Sequence, residues 1–139
     1  MGRTQKTQKP HGREPALAQG KARAGYRVAG RVWIEKDGET YLAWGRVVLL
    51  ERIRDEGSML AAAKAMGMGY RHAWALVEDM NRLAPTPLVT RATGGKGGGG
   101  TSLTPAGEAA IEHFWATVKS FGAWLEQVPA KGARRARGK

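Results

Sequence analysis

Apolar residues recur with regular spacing in the middle of the chain, and the first of these stretches predicts two short helices. A first helix is predicted over residues 46–55, because one side of it is apolar: Val47, Leu49, Leu50 and Ile53. Glu56-Gly57 ends this stretch, and Ser58 is a favourable N-cap for another helix. A second helix is therefore predicted over residues 59–66, and its alanines permit the close approach of another helix.

A third helix is predicted from Tyr70 to about Leu83, where Pro85 and Pro87 prevent its continuation. Its apolar residues follow the spacing of a buried helix face: Ala73, Leu76, Val77 and Met80. The Gly67-Met68-Gly69 turn joins it to the second helix. A capped short helix, a tight turn and a helix with one apolar face are the plan of a helix-turn-helix motif, although many small bundles contain such a pair.

Alternating residues before the first helix predict a β-hairpin. Residues 31–36 and 39–44 flank Asp37-Gly38, a pair that favours a two-residue turn. Pairing across this turn places Ile34 opposite Tyr41 and Val32 opposite Ala43. A lone hairpin is marginal in water, so we expect this one to pack on the helices.

The glycine-rich stretch TGGKGGGGT at residues 93–101 lies between two short predicted strands, residues 87–91 and 101–103. A nucleotide-binding loop of the Walker type follows a strand, contains a lysine followed by Ser or Thr, and leads into a helix. Here the lysine is followed by glycine, and no helix is predicted to begin at the end of the loop. A strand, a glycine loop and a strand after a helix-turn-helix predict a wing, with a flexible linker as the alternative. Four residues of the wing are candidates for DNA backbone contacts: Arg91, Thr93, Lys96 and Thr101.

Thr104-Pro105 predicts the start of a long last helix, because Thr is a good N-cap and Pro suits the first turn. Apolar residues then recur at spacings of three and four up to Val128, in the pattern of a short heptad seam. The sequence favours dimerisation through this helix, and packing on its own domain is the alternative. The predicted dimerisation residues are Ile111, Phe114, Trp115, Val118, Phe121 and Leu125.

The net charge of +11 over 139 residues is concentrated at the two ends. Residues 1–27 carry seven Lys/Arg and one acid, residues 129–139 carry five Lys/Arg and no acid, and residues 28–128 are neutral overall. We therefore predict one domain over residues 28–128 between two disordered basic tails. The tails either adhere to a polyanion, most simply nucleic acid, or only keep the protein soluble.

Several classes of function find no support in the sequence. The chain has no cysteine, no apolar run of membrane-spanning length and no secretory signal, so we expect a cytoplasmic, nucleoid-associated protein. The three histidines, His11, His72 and His113, lack the spacing of a metal site. No acid lies near a nucleophile or a histidine in a catalytic pattern, and Asp79 is expected at a solvated helix position. We therefore expect neither an enzyme nor a cofactor.

Several pieces of the sequence together resemble a known family: A-A-A-K-A-M-G at residues 61–67, Y-R-H-A-W at 70–74, G-G-K-G-G-G-G-T at 94–101 and Leu-Thr-x-x-Gly ending at Gly107. They resemble the N-terminal winged helix-turn-helix domain of the molybdate-responsive ModE regulators and, more distantly, the LysR-type winged helix. The resemblance covers roughly residues 30–126. It implies a mainly α fold with a small β component, double-stranded DNA as partner and a homodimer.

Two departures from the family limit what the resemblance implies. Family members that sense molybdate carry additional oxyanion-binding domains of the mop type, and this chain ends at Lys139. We therefore expect no molybdate to bind this chain. Gly69 stands where the family has a serine, which removes a cap on the third helix and a possible phosphate contact.

The helix-turn-helix plan places the start of the third helix in the major groove. Arg71 is the best candidate for reading a base, since a guanidinium can pair with guanine through two hydrogen bonds. Trp74 either packs on DNA or covers the core, and Lys64 and Lys96 are candidates for phosphate contacts. The full predicted DNA-binding set is Lys64, Gly69, Tyr70, Arg71, His72, Trp74, Arg91, Thr93, Lys96 and Thr101.

Three functions remain open from the sequence. The first is a dimeric, sequence-specific transcriptional regulator. The second is an architectural or accessory DNA binder with little sequence preference, driven by its basic tails. The third is an interaction module that pairs through its long helix with a full-length, molybdate-sensing relative.

Overall fold

The computed structural model describes residues 18–92 and 100–129 of the chain. These residues divide into two compact units, residues 33–114 and residues 18–32 with 115–129. Helices dominate the first unit, and the strands form three separate two-stranded sheets. The predicted fold class, mainly α with small β and a winged helix-turn-helix, is therefore confirmed. None of the described helices is long and apolar enough to cross a membrane.

The first unit is built on three helices in succession: α1 (Trp44–Glu56), α2 (Met59–Met66) and α3 (Tyr70–Leu83). Helix α1 packs against both α2 and α3. Its predicted apolar side is fully buried, and the buried residues of α3 include three of the four predicted ones. Leu76 is only partly buried. The core residues contributed by these helices are Val47, Leu49, Leu50, Ile53, Met59, Ala62, Ala63, Ala73, Val77, Met80 and Leu83.

The turns between the helices follow from their residue types. Gly57 ends α1 with φ +70°, in the left-handed region that favours glycine. Ser58 then accepts a hydrogen bond at Oγ from the backbone N–H of Ala61 (3.1 Å), which confirms it as the N-cap of α2. Gly67 ends α2 in the same left-handed conformation, with φ +68°.

The predicted hairpin before α1 is present, but its strands are shorter and its register differs. Strand β3 (Ile34–Lys36) pairs with β4 (Glu39–Leu42), and Asp37 and Gly38 both have positive φ in the turn between them. The pairing is Ile34 with Leu42, not with Tyr41, because a bulge between Ile34 and Glu35 shifts the register. Residue 44 begins α1, so it does not extend the second strand as we predicted.

The predicted wing strands are also present. Strand β5 (Val89–Arg91) pairs antiparallel with β6 (Thr101–Leu103), with Arg91 opposite Thr101. Helix α4 (Pro105–Leu125) begins two residues after β6. Thr104 caps it, since its Oγ1 accepts a hydrogen bond from Gly107 N (3.0 Å) and donates one to Pro87 O (2.7 Å). The hydroxyl therefore joins the start of α4 to the start of the wing.

Gly107 has a packing reason in this structure. A Cβ at this position would lie far inside van der Waals contact of the backbone carbonyl oxygen of Leu88. Leu88 itself is buried. The Leu103-Thr104-x-x-Gly107 pattern therefore combines a helix cap with a close approach between the helix and the segment that leads into the wing.

The second unit contains a hairpin that the sequence did not predict. Strand β1 (Ala18–Gln19) pairs with β2 (Ala29–Gly30), and Arg23 pairs with Tyr26 around a turn in which Ala24 and Gly25 have positive φ. We expected disorder up to residue 27, so the structure corrects this boundary for residues 18–27. The remaining residues of the predicted tails, 1–17 and 130–139, lie outside the described part of the chain.

Small residues explain why this hairpin packs where it does. A Cβ at Gly20 would come within 2.6 Å of the carbonyl oxygen of Leu125, and one at Gly30 within 3.0 Å of the Phe121 ring. Both approaches are closer than side chains normally allow. The hairpin therefore lies directly against the C-terminal half of α4, and its glycines permit this contact.

Four of the six predicted dimerisation residues are almost fully buried within the single chain. The exposed fractions are 5% for Ile111, 0% for Phe114, 8% for Val118 and 4% for Leu125. Trp115 and Phe121 are partly buried. The alternative, a helix that packs on its own chain, thus accounts for most of the seam, and dimerisation through it stays a prediction.

Candidate nucleic-acid interface

The N-terminal end of α3 presents polar and aromatic side chains to solvent. Tyr70 is 50% exposed, and Arg71 and His72 are also exposed. They lie opposite the buried Ala73 and Val77, which fix the helix on the core. This is the arrangement that we predicted for a recognition helix, in which one face is buried and the first turn is free to enter a groove.

The charged side chains of this surface are all positive. Helix α2 and the first two turns of α3 lie in residues 57–77. This stretch contains Lys64 and Arg71 and no acidic residue. Both side chains are exposed. Within the part of the chain that the structure describes, neither has an ion-pair partner, whereas Arg46, Arg54 and Arg82 do. The surface thus has unneutralised positive charge, as a phosphate-binding surface needs.

Gly69 is the N-cap of α3, and it has no side chain with which to cap the helix. Its φ of −71° and ψ of 151° are open to any residue, and no atom lies within 4 Å of a Cβ built there. The missing cap was expected from the sequence. The first N–H groups of α3 are consequently not bonded by an N-cap side chain, and they add to the positive potential at this end of the helix.

Trp74 and Arg91 meet between the recognition helix and the wing. The guanidinium carbon of Arg91 lies 3.7 Å from the centroid of the Trp74 ring. The ring is partly buried, and its Nε1 is fully buried with no hydrogen-bond partner among the described residues. The two predicted DNA-binding residues are therefore in contact with each other, a pairing that no local pattern in the sequence indicates.

The predicted contacts of the wing fall into three groups. Arg91 is exposed at the end of β5. Thr93 and Lys96 lie in residues 93–99, outside the described part of the chain. Thr101 is only 7% exposed, and its backbone N–H donates to Gly57 O (3.2 Å), so the structure corrects its assignment from the exposed wing surface to the buried base of the wing.

Asn81 holds the wing to the recognition helix, a role that we did not predict. Its Oδ1 accepts hydrogen bonds from Leu88 N (2.8 Å) and Val89 N (3.3 Å), and its Nδ2 donates to Val89 O (3.2 Å). One amide side chain thus satisfies three backbone groups where the chain turns back into β5. The only signal in the sequence was a polar residue near the C-terminal end of α3, and such a residue is usually solvated.

A network of charges braces the other end of α3. Asp79 accepts hydrogen bonds from Arg82, on the same helix, and from Arg46 of α1 (3.0 Å). Arg82 also donates to Glu39 of β4 (2.7 Å). The hydrogen bond from Arg82 is the main reason that the pKa of Asp79 lies below its usual range, and Arg46 lowers it further. The structure therefore corrects the expectation that Asp79 occupies a solvated helix position.

The described residues show no arrangement for metal binding. Over residues 18–92 and 100–129, no group of three or more His, Asp or Glu side chains could hold a metal ion. The exposed features of this surface are cations, a tyrosine and helix N–H groups. Its chemistry suits a polyanion that is recognised by charge and hydrogen bonding.

The helix-turn-helix and its wing together match a known domain. Residues 44–108 match the family described as "Bacterial regulatory helix-turn-helix protein, lysR family". Residues 44–108 are a lysR-type helix-turn-helix domain. The match runs from the start of α1 to the first turn of α4, so it includes the recognition helix, Asn81 and both wing strands.

Several curated relatives of the chain are proteins named ModE. The chain is 38% identical over 102 residues to the "Molybdenum transport protein ModE" of Azotobacter vinelandii, a match that covers 73% of this chain and 38% of the relative. It is 49% identical over 69 residues to the "Transcriptional regulator ModE" of Yersinia pestis and 46% identical over 69 residues to the "DNA-binding transcriptional dual regulator ModE" of Escherichia coli K12. Each of these two matches covers 50% of this chain and 26% of the relative.

The chain thus spans between 26% and 38% of the length of these curated relatives. The resemblance to ModE regulators and to the LysR-type winged helix is confirmed for the helix-turn-helix domain. These relatives are named as regulators and a transport protein, and none is named as an enzyme.

Proposed function

We propose that this protein is a sequence-specific transcriptional regulator that binds double-stranded DNA as a dimer. The single observation that supports this most is the division of α3 into a buried face and an exposed first turn with Tyr70, Arg71 and His72. In this proposal the first turn of α3 enters the major groove and Arg71 reads a guanine. Lys64 and the wing contact phosphates, which fixes the orientation of the helix without reading sequence.

The direct test is selection of binding sites from a random DNA pool at near-physiological salt. A dimeric regulator should select a palindromic motif with half-sites about one helical turn apart. Recovery of no motif, together with binding that collapses as salt rises, would contradict sequence-specific regulation. For substitutions of Arg71, Arg54→Gln serves as the matched control, because Arg54 is already paired with Asp55 and Glu108.

The dimer in this proposal uses the C-terminal half of α4. Trp124 is 58% exposed there, and its ring stacks on Phe121 with the centroids 6.0 Å apart. An exposed tryptophan is typical of interfaces between proteins. Light scattering should give the mass of a dimer, and Trp124→Ala should shift the equilibrium towards the monomer. A monomer at all concentrations would contradict homodimerisation, and a complex formed only with a full-length relative would favour the interaction module.

A second candidate function has its own observation. The hairpin of residues 18–30 carries Lys21, Arg23 and Arg27, all exposed, and no acid occurs between residues 18 and 34. A folded basic hairpin supports the low-specificity, accessory DNA binder better than a disordered tail would. Replacing these three cations by glutamine should then remove most binding to random DNA. In the leading proposal the same change leaves the preference for the selected site intact.

The names of the relatives connect them with molybdenum, and we extend this connection to the present chain as a hypothesis about the genes it regulates. We do not expect molybdate itself to bind here. Adding molybdate should leave the affinity of this chain for its DNA site unchanged. A change in affinity would place an oxyanion site in this chain and contradict that expectation. A cytoplasmic location at the nucleoid follows from the DNA-binding proposal and is tested by imaging a tagged protein.

A further inference from the structure

The contact between Trp74 and Arg91 joins two elements that a winged helix must hold in register. Trp74 is the fifth residue of α3, and Arg91 is the last residue of β5, just before the glycine-rich segment. The guanidinium carbon lies over the ring, 3.7 Å from its centroid, which is within the range of a cation–π contact. Trp74 therefore cannot offer this face of its ring to a thymine methyl group or a sugar.

The stack leaves Arg91 available for DNA. A guanidinium carries five N–H donors, and a contact between its carbon and an aromatic face does not tie all of them to a carboxylate. Arg91 is exposed, and it has no carboxylate partner among the described residues. A stacked guanidinium is also held in few rotamers, so less conformational entropy is lost when its donors bind a phosphate.

We propose that Arg91 is a pre-organised phosphate-binding residue and that Trp74 is the positioning residue that holds it, without contacting DNA itself. This inference rests on the proposed DNA binding and adds to it the division of roles between these two residues. The ring is partly buried with an unpartnered Nε1 in the described part of the chain, as suits a support beneath a cation better than a base contact.

The test is a double-mutant cycle with Trp74→Leu, Arg91→Met and both together, measured as the Kd for one duplex at several salt concentrations. Arg91→Met should weaken binding about tenfold and reduce the salt slope by about 0.9, as expected for the loss of one phosphate contact. Trp74→Leu should weaken binding about two- to fivefold, the factor of one exposed cation–π contact. It should have no further effect when Arg91→Met is already present.

Two conservative variants separate positioning from a structural role. Trp74→Phe keeps an aromatic face and should therefore keep most of the affinity of the unaltered protein. Arg91→Lys keeps the positive charge but loses the planar guanidinium. Arg91→Lys should therefore keep the salt slope while losing affinity, by about fivefold. These two variants carry the test by themselves if thermal unfolding shows that Trp74→Leu does not fold.

The results that would overturn the inference are distinct from those that would overturn DNA binding. An equal loss from Trp74→Leu with and without Arg91→Met would show that Trp74 acts independently of Arg91. An unchanged salt slope for Arg91→Met would remove the phosphate contact. If the unaltered protein bound no DNA even in low salt, the proposed function itself would fail, and the inference would fail with it.

Discussion

Asn81 is the residue at which one substitution should reveal how the wing is held. Asn81→Ala removes three hydrogen bonds, of which the one from Leu88 N is the shortest at 2.8 Å. Leu88 is 1% exposed, so water cannot easily replace this partner. A buried N–H without a partner costs about 1–3 kcal/mol, and the two longer bonds to Val89 contribute about 0.5 kcal/mol each. The free energy of unfolding should therefore fall by about 2–4 kcal/mol.

Urea unfolding followed by circular dichroism measures this loss, and Glu78→Ala is its matched control. Glu78 is exposed on the same helix, so its replacement by alanine gives the effect of the substitution without the hydrogen bonds. Asn81→Asp keeps the acceptor for Leu88 N but places a carboxylate oxygen against Val89 O, so its loss should be intermediate. If Asn81→Ala were no more destabilising than Glu78→Ala, the three bonds would not be holding the wing.

Two further predictions concern stability. Gly107→Ala should lower the free energy of unfolding by about 1–3 kcal/mol, because the Cβ of alanine would meet the Leu88 backbone. This loss should outweigh the better helix propensity of alanine, and an increase in the urea midpoint would contradict it. The pKa of Asp79 is lowered in the folded state from its ordinary value of 3.8. Its ion pairs with Arg82 and Arg46 therefore stabilise the fold fully at pH values above 3.8, and this stabilisation is lost as the pH falls through the lowered pKa. Asp79→Asn should thus be less stable than the parent at neutral pH, and equal stability of the two proteins between about pH 5 and 8 would refute the argument.

The sequence predicts those parts of the fold that local chemistry determines. Ser58 as a cap, Gly57 and Gly67 as helix ends, and Asp37-Gly38 as a turn were each expected from conformational preference, and the structure contains all of them. The bounds of α2 were expected for similar reasons. Such features depend on a few neighbouring residues, and the preferences of those residues agree with the fold around them.

The features that the sequence did not predict depend on residues that are distant along the chain. Arg82 is 43 residues from Glu39. Asn81 reaches Leu88, and Arg91 meets Trp74, only because the chain turns back after α3 into β5. The hairpin of residues 18–30 was missed because it is basic and has few large apolar residues, as disordered segments do. Gly20 and Gly30 are needed there for a close approach to α4 that only the folded chain reveals.

The central claim is that the first turn of α3 reads base pairs, and Arg71→Ala tests it most directly. The measurement is the ratio of Kd values for random and selected DNA, compared between the unaltered protein and this variant at one salt concentration. If Arg71 pairs with a guanine, the variant should lose about 1–3 kcal/mol of discrimination. An equal loss of affinity on both DNAs would make Arg71 a phosphate contact and would contradict base reading by this residue.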